Sequence, residues 1–239
     1  AQPVRIGDSV LQVSASLGVT FYPQADDVDA DQLLRQADQA MYQAKLAGKN
    51  RYHVFDADQD RSVRGYHESL EHIRRALTDQ EFVLHYQPKV NMRTGQVIGV
   101  EALIRWQHPE RGLLAPSVFL PVIEDHPLAV DIGDWVIDSA LLQAERWQAL
   151  GLDIPVSVNI GARQLQQNDF VDRLRARLAA HPAVKHSRLI MEVLETSALE
   201  DLARVSAVIE SCRNFGVLFS LDDFGTGYSS LTYLKRLSV

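Results

Sequence analysis

Residues 218–230 read Leu-Phe-Ser-Leu-Asp-Asp-Phe-Gly-Thr-Gly-Tyr-Ser-Ser, an apolar run ending in two adjacent carboxylates, Asp222 and Asp223, and a loop rich in glycine and hydroxyl groups. This is the pattern of a strand that feeds an active-site loop. Two ionised carboxylates held close repel by very roughly 4 kcal/mol at an intermediate effective dielectric, a cost that a divalent cation, or a pair of them, removes. In two-metal hydrolases the ions lie about 3.5 to 4 Å apart between shared ligands, a role open to Asp222 and Asp223. On spacing alone a plainer alternative stands beside it, with Asp222 capping a turn and Asp223 solvated.

Other apolar stretches carry the same kind of interruption. Glu101 and Arg105 fall near the end of one, Asn159 sits in Val-Ser-Val-Asn-Ile at 156–160, and Glu192 and Glu195 sit in Leu-Ile-Met-Glu-Val-Leu-Glu at 189–195. Any one of these alone describes a solvent-facing strand residue. Four strands that place carboxylate or amide groups at corresponding ends describe a shared site. All-oxygen ligands of this type suit a hard cation, Mg2+ or Mn2+, rather than Zn2+, and no histidine or cysteine cluster competes.

The elements that must position these groups follow from the spacing. Candidate strands are 82–87, 97–105, 155–160, 189–194 and 217–221, separated by amphipathic stretches clearest at 132–150 and 202–215, each with a glycine just beyond, Gly151 and Gly216. Strands alternating with helices predict an α/β fold on a mostly parallel sheet, doubly wound or a barrel. Thr94-Gly95 marks a hairpin between the first two strands, which sets the first antiparallel to the second. In a barrel the chemistry gathers at the carboxyl ends of the strands, where these polar residues lie.

Composition narrows the partners. Hydrophobic residues make up 46% of the 239 residues and charged residues 23%, the balance of an ordinary globular protein. A net charge of -7 argues against a nucleic-acid polymer or an anionic membrane surface as partner. A small phosphate ligand stays compatible, because a bound cation reverses the local field. Cys212, the single cysteine, falls on an apolar helical position and reads as core, which suits a reducing, cytoplasmic compartment. No run of 18 apolar residues and no signal pattern is present, so no membrane contact is expected within this chain, although a parent protein could carry an anchor.

The N-terminal stretch reads separately. Residues 9–22 alternate as one or two strands interrupted by Gly18; Leu33, Leu34, Ala37, Ala40, Met41 and Ala44 have helical period, stopped by Gly48. The polar run 56–65 predicts a linker, and Leu70, Ile73 and Leu77 begin a helix that could run on from it. Ser16-Leu17-Gly18-Val19, the run from Ala37 to Lys45, and Gly48-Lys49-Asn50-Arg51-Tyr52 resemble the closing part of a GGDEF, or diguanylate cyclase, domain over about residues 1–55. The resemblance implies that Lys45 and Lys49 occupy positions that touch a nucleotide triphosphate, although their place at a helix C-terminus is structurally sufficient. The metal-binding Gly-Gly-Asp/Glu-Glu-Phe loop is not in this sequence, so no cyclase activity is expected from it.

From about residue 67 to the end, Tyr86-Gln87-Pro88, Glu101-Ala102-Leu103-Ile104-Arg105-Trp106, Val158-Asn159-Ile160, Glu192 through Glu195 and the run from Asp222 to Leu231 resemble an EAL domain, a cyclic di-GMP phosphodiesterase. The resemblance implies a modified TIM barrel, its first strand antiparallel and its last strands not included here, after a partial α+β GGDEF-like segment. The implied division is 1–55, a linker at 56–66, and 67–239. By the same resemblance Glu101, Asn159, Glu192 and Asp222 bind a first Mg2+ or Mn2+, Asp222 and Asp223 hold a second, and Glu101, Asp222 and Asp223 form the catalytic centre. Gln87 and Arg105 contact the dinucleotide, Arg105 through a phosphate, and Glu195 anchors the loop that begins at Asp223. Paired cations would activate water, polarise the phosphate and stabilise charge in an in-line attack, giving the linear dinucleotide.

Two departures qualify the resemblance. Leu194 stands where the family has threonine, so weaker anchoring of that loop is expected. The chain also ends at Val239, ahead of a lysine, an aspartate and a glutamate that the family uses, and is therefore expected to be part of a longer polypeptide. Homodimers through the EAL domain are implied as well. The competing reading is a cyclic di-GMP receptor or scaffold without turnover, against which the retained ligands weigh.

Overall fold

The computed structural model describes residues 4–6, 9–11, 14–24, 27–194, 202–222 and 239. Asp223 and Glu195 lie outside the described residues. The chain divides into two compact units, Ala1–Glu68 and Ser69–Val239. Among the described residues no helix is long and apolar enough to cross a membrane.

In the first unit, strands β1 (Val4–Ile6) and β2 (Ser9–Leu11) pair antiparallel, while β3 (Leu17–Val19) and β4 (Tyr52–Val54) pair parallel around helix α1 (Ala30–Leu46). The Asp29 carboxylate accepts a hydrogen bond from the Gln32 amide at 2.7 Å and caps α1. Gly18 is the close-approach position: a Cβ there would lie 1.8 Å from the Ala37 carbonyl oxygen, so β3 meets α1 at a distance only glycine allows. The helix buries a narrower face than its apolar residues suggest. Ala40, Ala44 and Gln36 are buried, Gln36 bonded to the Thr20 hydroxyl at 2.8 Å, while Leu34 is exposed. Gly48 ends the helix with φ +108°. Helix α2 (Ala57–Thr78) contains the helical start expected at Leu70 and reaches back through most of the polar stretch 56–65.

The second unit is an α/β fold around one six-stranded sheet. Strands β5 (Phe82–Val90) and β6 (Val97–His108) form an antiparallel hairpin, and the short β7 (Gly112–Leu114) pairs the far end of β6. Helices α3 (Pro116–Ile123) and α4 (Leu128–Ala149) lead to β8 (Val156–Ile160), which lies parallel to β6. The short α5 (Ala162–Leu165) and α6 (Phe170–Ala180) lead to β9 (Leu189–Leu194), and α7 (Leu202–Arg213) leads to β10 (Leu218–Asp222). The sheet order is β10-β9-β8-β6-β5, parallel throughout except for β5. Among the described residues the sheet is open between β5 and β10, consistent with an incomplete barrel. The five strands expected from the sequence are all present, and the first is antiparallel, as the hairpin signal requires.

One apolar cluster fixes the strands. Val100, Ala102, Val156, Val158, Ile160, Leu189, Met191, Val193 and Phe219 alternate outward from the sheet and pack with Val136, Ile137, Ala140, Leu174, Leu178, Ile209 and Cys212 from the helices. Cys212 is fully buried, as its helical spacing predicts, and burial pushes its thiol up to about 12 against the pull of Arg175. At the start of the hairpin, Phe82 stacks at 5.4–5.9 Å on Phe119, Trp106 and Trp135, and the Trp106 indole donates to Glu81 at 2.8 Å. These aromatic contacts lock β5 in register with β6, so that Gln87 lies opposite Glu101.

Candidate metal centre

Side chains on a strand alternate between faces, and partners in register share a face. Val100, Ala102, Val158 and Met191 face the helices, so Glu101, Asn159 and Glu192 between them face the other way. The parallel register then builds a layer. Asn159 pairs with Glu192, Ser220 pairs with Glu192, and Asp222 pairs with Leu194, which brings the inward residues of four strands to one end of the sheet.

The carboxylates of Glu101, Glu192 and Asp222 each offer an oxygen, and these three atoms lie within 4.8 Å of one another. Two further groups orient them. The Asn159 amide donates to Glu101 Oε1 at 2.8 Å, and the Ser220 hydroxyl donates to Glu192 Oε1 at 3.4 Å. Each ionised pair at that spacing repels by about 3 kcal/mol at an intermediate effective dielectric. Hard all-oxygen donors converging from separate strands fit a divalent cation.

The sequence-expected residues divide into three groups. The structure brings Glu101, Asn159, Glu192 and Asp222 together. Gln87 and Arg105 stand on the same face of the hairpin as Glu101, Gln87 directly opposite it and Arg105 nearer the carboxyl end of β6, where its guanidinium donates to the Ile104 carbonyl at 2.8 Å. Asp223 and Glu195, expected at the second cation and at the loop anchor, lie outside the described residues.

Three residues of the centre escape a motif reading. Lys89 extends beneath the carboxylates, donating from Nζ to the Ser157 hydroxyl at 2.8 Å and forming an ion pair with Glu192 Oε1. Ser157 is 1% exposed and Glu192 7%, so this contact is largely enclosed. Lys89, Ser157 and Ser220 each stand two residues from a residue already singled out, Gln87, Asn159 and Asp222. Period-two alternation would have found them.

Behind the sheet, Tyr86 meets Trp147 edge-on at 4.8 Å, and burial pushes its phenol up to about 12 against the opposing pull of Arg146. This residue belongs to the packing. The exposed Asp153 ties the start of β9 to the chain before β8: Arg188 donates to it at 2.7 Å and holds its carboxyl below the usual carboxylate range, with Lys185 at 3.4 Å assisting.

Comparison with known proteins places this architecture. The chain is 42% identical over 238 residues to the bifunctional diguanylate cyclase/cyclic di-GMP phosphodiesterase MucR of Pseudomonas aeruginosa, covering 99% of this chain and 34% of that protein. It is 36% identical over 237 residues to the cyclic di-GMP phosphodiesterase PdeR of Escherichia coli, covering 99% of this chain and 35% of that protein. The chain thus spans about a third of the length of these curated relatives. Among solved structures it is similar to the PaMucR phosphodiesterase in its c-di-GMP complex, with 45% identity and a TM-score of 0.69 over 72% of this chain and 70% of that one. The EAL enzyme Bd1971 in its cAMP-bound form aligns at 29% identity and a TM-score of 0.67 over 89% of this chain and 58% of that one. Residues 1–51 match the diguanylate cyclase, GGDEF domain. Residues 70–239 match the EAL domain, with the carboxylate layer and the antiparallel first strand inside the matched span, and the chain belongs to the EAL domain family.

Proposed function

We propose that this chain carries a metal-dependent phosphodiesterase that hydrolyses cyclic di-GMP to linear pGpG in bacterial second-messenger signalling. The observation that carries the reading is the convergence of Glu101, Glu192 and Asp222 within 4.8 Å, with Asn159 bonded to Glu101. The names of the relatives MucR and PdeR, both cyclic di-GMP phosphodiesterases, supply the substrate class. Glu101, Asn159, Glu192 and Asp222 would hold one cation, and Asp222 with Asp223 a second, Mg2+ or Mn2+ by the chemistry of the donors. Such ions would activate water for attack and neutralise charge on the phosphate.

The remaining work falls to side chains of this chain. The Asn159 amide keeps the Glu101 carboxylate turned into the layer, and the Ser220 hydroxyl steadies Glu192. Arg105 would orient the dinucleotide by forked hydrogen bonds to a phosphate, and Gln87, across from Glu101, would fix the substrate beside the carboxylates. Glu195 would hold the loop from Asp223. The protein acts in the cytoplasm as a homodimer through its EAL domain, the latter checked by light scattering of the purified protein.

The deciding experiment is cyclic di-GMP hydrolysis in Mg2+ by the full-length protein beside its Asp222→Asn variant. Turnover that vanishes in the variant supports the enzyme. Tight binding with no turnover by the unaltered protein would instead establish a receptor.

A further inference from the structure

We propose that Lys89 is a built-in counter-ion of the carboxylate layer, a positioning residue that stabilises the layer without metal and competes electrostatically with the divalent cation for Glu192. The proposal rests on the metal-centre reading above. Nothing in the residue motifs singles out this lysine, which follows Gln87-Pro88 on β5.

Three observations carry it. Lys89 faces the carboxylate side of the sheet, because β5 pairs with β6 so that Gln87 lies opposite Glu101 and Lys89 opposite Gly99, one alternation below. Its ammonium group reaches across the strand order to Ser157 of β8 at 2.8 Å and to Glu192 of β9. Its partners are enclosed, Ser157 at 1% and Glu192 at 7% exposure.

The electrostatic consequence has a sign. Glu101, Glu192 and Asp222 would together bring three negative charges within 4.8 Å, and an ammonium on Glu192 offsets one of them. A divalent cation arriving at the same layer meets that ammonium as a like charge. Lys89 therefore favours the metal-free fold and disfavours the loaded one relative to a neutral side chain at the same place. Its side chain is 37% exposed, so solvent screens much of the effect. A change of about tenfold in cation affinity is expected, equivalent to about 1.4 kcal/mol.

The test is Mn2+ binding by titration calorimetry on the full-length protein, with Lys89→Met and Lys89→Gln compared with the unaltered chain. Thermal melting with chelator and with saturating Mn2+ gives the second readout. Both variants should bind Mn2+ about tenfold more tightly, melt lower in chelator, and gain more from saturating Mn2+ than the unaltered protein does. Glutamine retains a hydrogen-bond donor without the charge, so it separates charge from hydrogen bonding. Equal or weaker Mn2+ binding by folded Lys89→Gln would overturn the proposal and leave Lys89 a structural contact. If Lys89→Met fails to fold, the glutamine variant decides alone. Absence of Mn2+ binding by the unaltered protein would overturn the metal-centre reading itself, a result distinct from the failure of Lys89 alone.

Discussion

The two faces of strands β8, β9 and β10 differ by a single residue step and obey different rules. One face presents Val156, Val158, Ile160, Leu189, Met191, Val193 and Phe219, all buried against helices. The other presents Ser157, Asn159, Glu192, Ser220 and Asp222. On the first, volume and apolar character matter, so neighbouring aliphatic residues substitute at modest cost. On the second, atom type and charge matter, and exchanging a carboxylate for its own amide takes a negative charge out of the layer. Stability and chemistry are thus carried by the same backbone and kept apart by the pleat.

That division can be broken by experiment. The largest effect expected is on chelation: EDTA should take cyclic di-GMP hydrolysis to background and added Mg2+ or Mn2+ should restore it, while hydrolysis that persists in chelator would remove the inner face from the chemistry. Asp222→Asn follows, with turnover expected to fall at least about a hundredfold and the chelated protein melting close to the unaltered one. A large loss of fold in that variant would mean that the inner face carries stability after all.

Met191→Ala tests the outer face. It removes a fully buried side chain next to Glu192 in sequence, and a loss of about 2–5 kcal/mol in unfolding free energy is expected. Mn2+ affinity and turnover well below the melting temperature should stay within a few-fold. A hundredfold loss of affinity would show that the faces are coupled through the strand.

The smallest effect concerns two ionisable groups of the outer cluster, Cys212 on α7 and Tyr86 on β5. Cys212 titrates near 8.5 in an unfolded chain and is held up at about 12 in the fold, and Tyr86 rises to about 12 from its ordinary value of 10.0. Raised folded values leave stability intact below the unfolded pKa and erode it as pH climbs towards 12, because the unfolded chain ionises first. Melting temperature should therefore fall above about pH 9, with a shallower slope in Cys212→Ala. The native thiol should resist alkylation at pH 8; rapid labelling would mean that the cluster opens there.

Legibility in the sequence follows the same line. Glu101, Asn159, Glu192 and Asp222 stood out because a charge or an amide inside an apolar run has a cost that periodicity alone exposes. The antiparallel first strand was readable from Thr94-Gly95, and Gly95 does adopt φ +71°. Period-two alternation reaches Lys89, Ser157 and Ser220 one by one but not as one group, since their meeting at Glu192 depends on register across the five strands from β5 to β10. The length of α2 was underestimated because its N-terminal half offers no regular apolar stripe. Its first turn instead has Asp56 accepting from the Asp58 amide at 3.0 Å, with Asp58 and Asp60 near the positive end of the helix.

The β5–β6 hairpin has a consequence for how this chain can vary. Asn91 closes the turn, its backbone amide donating to the Gln96 carbonyl at 2.9 Å and its carbonyl accepting from the Gly95 amide at 2.8 Å, and a bulge shifts the register between Lys89 and Val90. Upstream of that bulge the pairing runs unbroken from Phe82 opposite Trp106 to Lys89 opposite Gly99, so the parity of β5 is set from its aromatic end. With that aromatic end fixed, an insertion or deletion of one residue between Phe82 and Gln87 would have to be absorbed locally or would send Gln87 and Lys89 to the opposite face together. A two-residue change would restore the parity. Strand length here behaves as a heritable trait of the site, and counting residues between Phe82 and Gln87 would screen homologous sequences for a preserved inner face before any side chain is compared.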